Sequence, residues 1–155
     1  MSTSNPTQQT PRDPSVDRPF YRLLGLKNDP SQTVGRSELI FDPQEQFTNS
    51  RGEVHGGVVA TLLDAAMAVA CRSSCGEGAA ATTVSMTVNY LRPAQGRLYA
   101  RGRTVRSGST LASMEASVAD ESGAVVAQAI GTMRIIRAKM NAKEAHPLTD
   151  GSGPS

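Results

Sequence analysis

Val58-Val59-Ala60-Thr61-Leu62-Leu63-Asp64-Ala65-Ala66-Met67-Ala68-Val69-Ala70 is the most apolar run of the chain, and a single carboxylate interrupts it. Ala, Leu and Met dominate residues 60–70 and no proline intervenes. Glycines stand in front (Gly56, Gly57) and behind (Gly76), where helices start and stop. A helix apolar around its whole circumference is expected to be buried, and a carboxylate inside it must find a partner or serve chemistry. Asp64 and Arg72 break the apolar stretch before the roughly 20 residues a bilayer requires, so no membrane span is expected.

The two ends of this segment carry complementary chemistry. The amides of Gly56 and Gly57 at a helix start are donors reinforced by the helix dipole, and glycine lets a carbonyl approach the backbone closely. Asp64, poorly solvated among apolar neighbours, would be a stronger base or nucleophile than an exposed carboxylate. Together these groups suit acyl transfer to water. A buried Asp can equally bond to a neighbouring strand, and Gly-Gly can be only a turn, so structure and catalysis both stay open at this point.

Spacing constrains the catalytic reading. His55 and Asp64 are nine positions apart, about 13.5 Å along an ideal helix and about 900° around it, so their side chains leave on opposite sides. If both are catalytic, the site is composite, with the helix start of one subunit facing the carboxylate of another in a two-fold dimer.

The second half of the chain changes period. Ala112, Met114, Ala116 and Val118 alternate with Ser113, Glu115 and Ser117, and Asp120-Glu121-Ser122-Gly123 reads as a turn before another β-rich run. The expected order is a short helix over 20–25, a strand over 33–41 and the long helix. Four strands follow near 81–91, 98–107, 110–119 and 125–136. One long helix against an antiparallel sheet is α+β architecture. Residues 1–19, rich in Ser, Thr, Pro, Gln and Asp, and 138–155, ending in Gly-Ser-Gly-Pro-Ser, read as disordered tails around one domain at 20–137. With 4% aromatics and no Trp, that domain needs an aliphatic, Met and Ala core, which a dimer would help to complete.

The net charge is +2, and 13 of the 16 basic residues are Arg. Several of these fall on predicted strands or strand ends, among them Arg92, Arg97, Arg101, Arg103, Arg106, Arg134 and Arg137; a solvated sheet face is the alternative to a phosphate site. There is no basic run, no aromatic stacking platform and no zinc spacing, so neither nucleic acid nor a metal is expected. Cys71 and Cys75 read as buried free thiols. Residues 1–10 lack the apolar stretch of a signal peptide, which makes the cytoplasm the expected location.

The stretch Asn49-Ser50-Arg51-Gly52-Glu53-Val54-His55-Gly56-Gly57, continued through Asp64 to Ala66, resembles the signature of hotdog-fold acyl-CoA thioesterases, most closely the phenylacetate-degradation type. Val88-Asn89-Tyr90-Leu91-Arg92-Pro93-Ala94 and the run 123–136 are similar to later segments of that family, and the likeness covers about 20–137. It implies a hotdog fold, one long central helix wrapped by an antiparallel sheet of about five to six strands. It also implies hydrolysis of acyl-CoA, with phenylacetyl, hydroxyphenylacetyl or short-to-medium acyl groups, in a homodimer with composite sites or a dimer of dimers. No cofactor is expected, coenzyme A being part of the substrate. Gly56 would donate its amide to the thioester oxygen, with Gly57 also at the substrate, and His55 would support the carbonyl or orient the loop. Asn49 would position water or the thioester, and Asp64 of the partner subunit would act as base or nucleophile. A strand hydroxyl assists in some members, and Thr83 stands at that place. Strict alternation, however, groups Thr83 with Ser85, Thr87 and Asn89, away from Met86, Val88 and Tyr90. Arg106 and Arg134 are the candidates for the coenzyme's phosphates. A non-catalytic acyl-CoA or aromatic-ligand binding protein on the same scaffold, with Asp64 structural, is the second reading.

Overall fold

The computed structural model describes residues 18–137. The expected tails therefore lie outside the described residues, except that the first helix, α1 (Pro19–Leu24), takes Pro19 into the domain. Proline suits the first helical position, and Gly25 (φ 69°) closes the helix, its N–H donating to the Arg22 carbonyl at 3.0 Å while Leu26 N–H donates to that of Tyr21 at 3.0 Å. A two-residue strand, β1 (Lys27–Asn28), follows and is too short for any periodicity to announce it. β2 (Arg36–Phe41) begins three residues later than expected, because Thr33 to Arg36 close a turn with Gly35 at φ 77°. A 3-10 turn (Glu45–Phe47) precedes the long helix α2 (Gly56–Ser73). Then come β3 (Ala80–Tyr90), β4 (Leu98–Ser107), β5 (Leu111–Asp120) and β6 (Val125–Ile136), all close to their expected places.

The strands form one antiparallel sheet in the order β1-β2-β4-β5-β6-β3, wrapped around α2 in the manner of a hotdog. Although α2 is apolar enough, at 18 residues and mean hydropathy 1.3, to cross a membrane, ten of its residues are buried beneath the sheet. The core is aliphatic, as the composition demands: Leu39, Leu62, Leu63, Met67, Leu98 and Met133 are fully buried, with Phe41 as its one fully buried ring. Cover is incomplete on one side. Gly57 is exposed and Thr61 and Asp64 are half-buried, and these three lie on one helix face at i, i+4 and i+7.

Two local features fix how the layers meet. Gly102 on β4 lies against the α2 backbone, where an added Cβ would stand 2.3 Å from the Ala66 carbonyl oxygen. Beside it Ser37, the one buried polar residue of the described core, donates to that oxygen at 2.7 Å and accepts from Gly102 N–H at 3.2 Å. The second feature is a bulge in β3: Thr83 pairs with Met133 but Ser85 with Thr132, leaving Val84 unpaired. Side chains before the bulge reach the helix from odd positions, and those after it from even ones. Thr83 and Tyr90 therefore both face α2, which corrects the strict alternation expected from sequence.

The Gly102 contact is backbone against backbone and cannot be relieved by a rotamer change. Gly102→Ala is therefore expected to cost about 3 kcal/mol or prevent folding; a urea midpoint within experimental error of wild type would show that the layers can separate without penalty.

Candidate active site

The loop before α2 is built by one side chain. Asn49 Oδ1 accepts the amides of Arg51 (2.9 Å) and Glu53 (3.1 Å), while its Nδ2 donates to Glu53 Oε2 at 2.9 Å. Arg51 grips the same Glu53 oxygen at 2.6 Å, and together Arg51 and then Asn49 hold that carboxyl below its usual range. A bridge between Thr48 and Val54, with Val54 N–H on the Ala94 carbonyl (2.7 Å) and His55 N–H on that of Phe47 (2.9 Å), delivers His55 to the helix start. Asn49 thus shapes the loop with most of its hydrogen-bonding capacity.

At the helix start the donors are unequally used. His55 is the N-cap, its Nδ1 accepting Gly57 N–H at 3.2 Å, so the imidazole carries its proton on Nε2. Val58 and Val59 donate to the His55 carbonyl at 2.9 and 3.1 Å. Gly56 N–H has no acceptor among the described residues. The expected pair of free amides is therefore one, because the histidine cap consumes that of Gly57. Tyr90, the last residue of β3, donates its hydroxyl to the Gly56 carbonyl at 2.9 Å.

Two turns on, Thr83 Oγ1 donates to Asp64 Oδ1 at 2.5 Å. Asp64 is half-buried in the single chain, not enclosed as the apolar run led us to expect, because it lies on the uncovered face of α2 beside the edge strand. Tyr21 of α1 stands close enough to both Asp64 and Arg72 to feel their charges, though burial is the main cause of its raised pKa. Tyr21 and Tyr90 were missed by the sequence reading. Tyr90 sits in a segment that carried the family likeness, yet no spacing rule links a strand end to a helix start thirty-four residues earlier.

Arg106 and Arg134 are not brought to this site. Arg134 lies between the buried Met133 and Ile135 and points to the outer face, and a bulge at Thr104/Arg106 pairs Arg106 with the exposed Ser113. The sheet separates both from Asp64. Arg97, Arg101 and Arg103 are engaged with Asp42, Glu38 and Glu115. Burial pushes the Cys71 thiol up to about 11, which makes it a poor nucleophile. No group of three or more His, Cys, Asp or Glu suited to a metal occurs among the described residues.

The family model of the thioesterase superfamily matches residues 51–127. A protein of Halobacterium salinarum, provisionally named an esterase, is 40% identical over 132 residues, spanning 78% of this chain and 87% of that one. Human acyl-coenzyme A thioesterase 13 is 30% identical, over 72% of this chain and 81% of its own. Among solved structures, a protein of Ralstonia eutropha JMP134, provisionally named a thioesterase and described as phenylacetic acid degradation-related, superposes with a TM-score of 0.68. It is 27% identical, covering 74% of this chain and 88% of that one.

The cap at His55 is separable from any chemistry by its effect on folding. His55→Ala is expected to cost about 1 kcal/mol in urea unfolding, and His55→Asp to restore it, since aspartate is the better N-cap. Equal stability of all three proteins would mean that the Nδ1 contact contributes nothing to the helix.

Proposed function

The chain belongs to the thioesterase superfamily and is a thioester hydrolase, and from that premise we propose that it hydrolyses acyl-CoA in sites shared between two copies of the chain. The observation that carries the reading is the division of labour along α2: a free amide at Gly56, and a carboxylate at Asp64 held by Thr83. The eight residue steps from one to the other span about 12 Å of helix axis. A thioester carbonyl and its attacking water are in contact, so one chain's amide and the same chain's carboxylate do not reach them together. Two chains do. β3 is an open edge whose middle residues, Thr82 to Ser85, are exposed, and it borders the uncovered helix face of Thr61 and Asp64. A second copy laid antiparallel along β3 would cover both at once and set each Gly56 near the other chain's Asp64.

In this scheme the thioester oxygen lies on the Gly56 N–H, supported by the helix dipole and by the Nε2–H face of His55. Thr83 occupies Oδ1 of Asp64, which leaves Oδ2 free for one of two routes. Either it takes a proton from the attacking water and passes it to the departing coenzyme thiolate, or it attacks the carbonyl, expelling the thiolate and forming an anhydride that water then hydrolyses, its proton going to the thiolate. Both routes give the free acid and the coenzyme thiol. The acyl group is proposed to be aromatic, phenylacetyl or hydroxyphenylacetyl, or a short-to-medium chain, to which Met67, Met86 and the aliphatic wall are suited. A cytoplasmic location, in keeping with the free thiols Cys71 and Cys75, is part of the proposal, as is a dimer of dimers. Arg106 and Arg134 join it only if the nucleotide end of the substrate reaches the outer face.

The Asp64–Thr83 hydrogen bond also fits the second reading, a binding protein in which Asp64 is structural. Turnover separates the two. With a panel of acyl-CoA thioesters and detection of free thiol, Asp64→Asn is expected to lower kcat by roughly 10²-fold with little change in KM; wild-type turnover in that variant would exclude the mechanism. In the same assay, Arg106→Ala with Arg134→Ala should raise KM in low salt if they meet phosphate, and a silent double variant returns them to the solvated surface.

Sharing of the site is tested by complementation. Proline is tolerated at the first helical position, and His55, at φ −59° and ψ 138°, already has the backbone that a following proline requires. Gly56→Pro therefore removes the amide donor while keeping the helix start. Mixed with Asp64→Asn, it should regenerate activity, because one site of each heterodimer receives an intact Gly56 and an intact Asp64. No recovery with proven subunit exchange would place the whole site in one chain.

A further inference from the structure

The Gly56–Gly57 peptide is held at both of its polar atoms by side chains from outside the helix. Its N–H donates to His55 Nδ1 at 3.2 Å, and its C=O accepts the Tyr90 hydroxyl at 2.9 Å. Such a grip answers a specific difficulty. Two consecutive glycines are the least restrained start a helix can have, with no side chain to limit φ and ψ and with the first-turn amides lacking intrahelical acceptors. An oxyanion donor, by contrast, has to be held to within about 0.5 Å of its working position. Glycine at 56 is not demanded by sterics, since an added Cβ would meet only the Tyr90 ring, at an ordinary 3.6 Å. What the pair leaves loose, the tyrosine ties down.

We propose that Tyr90 is a positioning residue for the oxyanion amide: by bonding the Gly56 carbonyl and covering its α-carbon, it anchors the Gly56–Gly57 peptide and, through the shared α-carbon, limits how far the preceding His55–Gly56 peptide, which carries the Gly56 N–H, can turn. The tie runs from the end of the edge strand to the start of the helix, joining the two elements that the shared site depends on. It also reaches His55. A hydrogen bond to the carbonyl polarises the peptide and strengthens its N–H as a donor to Nδ1, which keeps the imidazole proton on Nε2. Tyr90 touches neither the thioester nor Asp64 in this scheme. Its contribution is to geometry, and it is realised in the transition state, where the oxyanion forms.

This inference rests on the hydrolase reading, and its test is built to fail separately. Tyr90→Phe keeps the ring and deletes the hydroxyl. We expect kcat to fall about five- to tenfold, with KM unchanged and the melting temperature within about 2 °C of wild type. Placed on Gly56→Pro, which has no amide left to aim, Tyr90→Phe should have no further effect on the residual rate. Independently of activity, hydrogen exchange at the Gly57 amide should rise at least tenfold in Tyr90→Phe while that at Met67 stays constant. An unchanged kcat, an additive loss on Gly56→Pro, or unchanged Gly57 exchange would each overturn the proposal. A wild-type protein that hydrolyses no thioester would instead sink the hydrolase reading, and Gly57 exchange would still decide whether the clamp exists.

Discussion

The contact on which the molecule depends is the one between Gly102 and the Ala66 carbonyl. A sheet rides over a helix at a distance set by the side chains between them, and at this point there is none: the missing Cβ lets β4 lie directly on the α2 backbone. Ser37 turns the close approach into a bonded one by holding the Ala66 oxygen and the Gly102 amide with a single hydroxyl. With the middle of α2 pinned beneath the central strands, its Gly56 end falls against the end of β3 and Asp64 falls against Thr83. Ala65, Ala66, Ala68 and Ala70 are buried on the same stretch of helix, where a small side chain suits a close approach of the layers.

Periodicity and composition carried most of this architecture. The long helix and the four late strands were legible because each is long enough for its pattern to exceed local noise. Burial of Asp64 was not legible. An all-apolar circumference says that a helix will be covered but not by what, and here part of the cover is absent from the single chain. The two-residue strand β1 and the 3-10 turn escaped for a different reason, having no period to detect.

The bulge at Val84 shows most plainly where reading by alternation ends. One extra residue reverses every side chain beyond it, so a rule that is right for Met86, Val88 and Tyr90 is wrong for Thr83 in the same strand. Nothing in Thr82-Thr83-Val84-Ser85 marks the insertion, since all four residues suit a strand. Family likeness placed Thr83 beside the carboxylate where periodicity would not. The bulge in β4 acts similarly on Arg106, turning it outward to pair with Ser113 and away from the face it would otherwise share with Thr104.

Glycine pairs, edge strands and half-covered carboxylates are each liabilities in a solitary domain. An unpaired edge invites pairing with other chains, Gly-Gly weakens a helix start, and an apolar helix with one uncovered face gives up burial it could have had. All three occur along one border of this molecule, between β3 and the first half of α2. In the proposed dimer a second chain along that border would answer all three together, pairing the edge, covering the face and supplying the carboxylate opposite the free glycine amide. The three departures from single-chain stability share one explanation in the proposed dimer, a site assembled from two copies. Tyr90 and His55 are the compensations kept within the chain, holding the Gly56–Gly57 peptide of the border in place without any second copy.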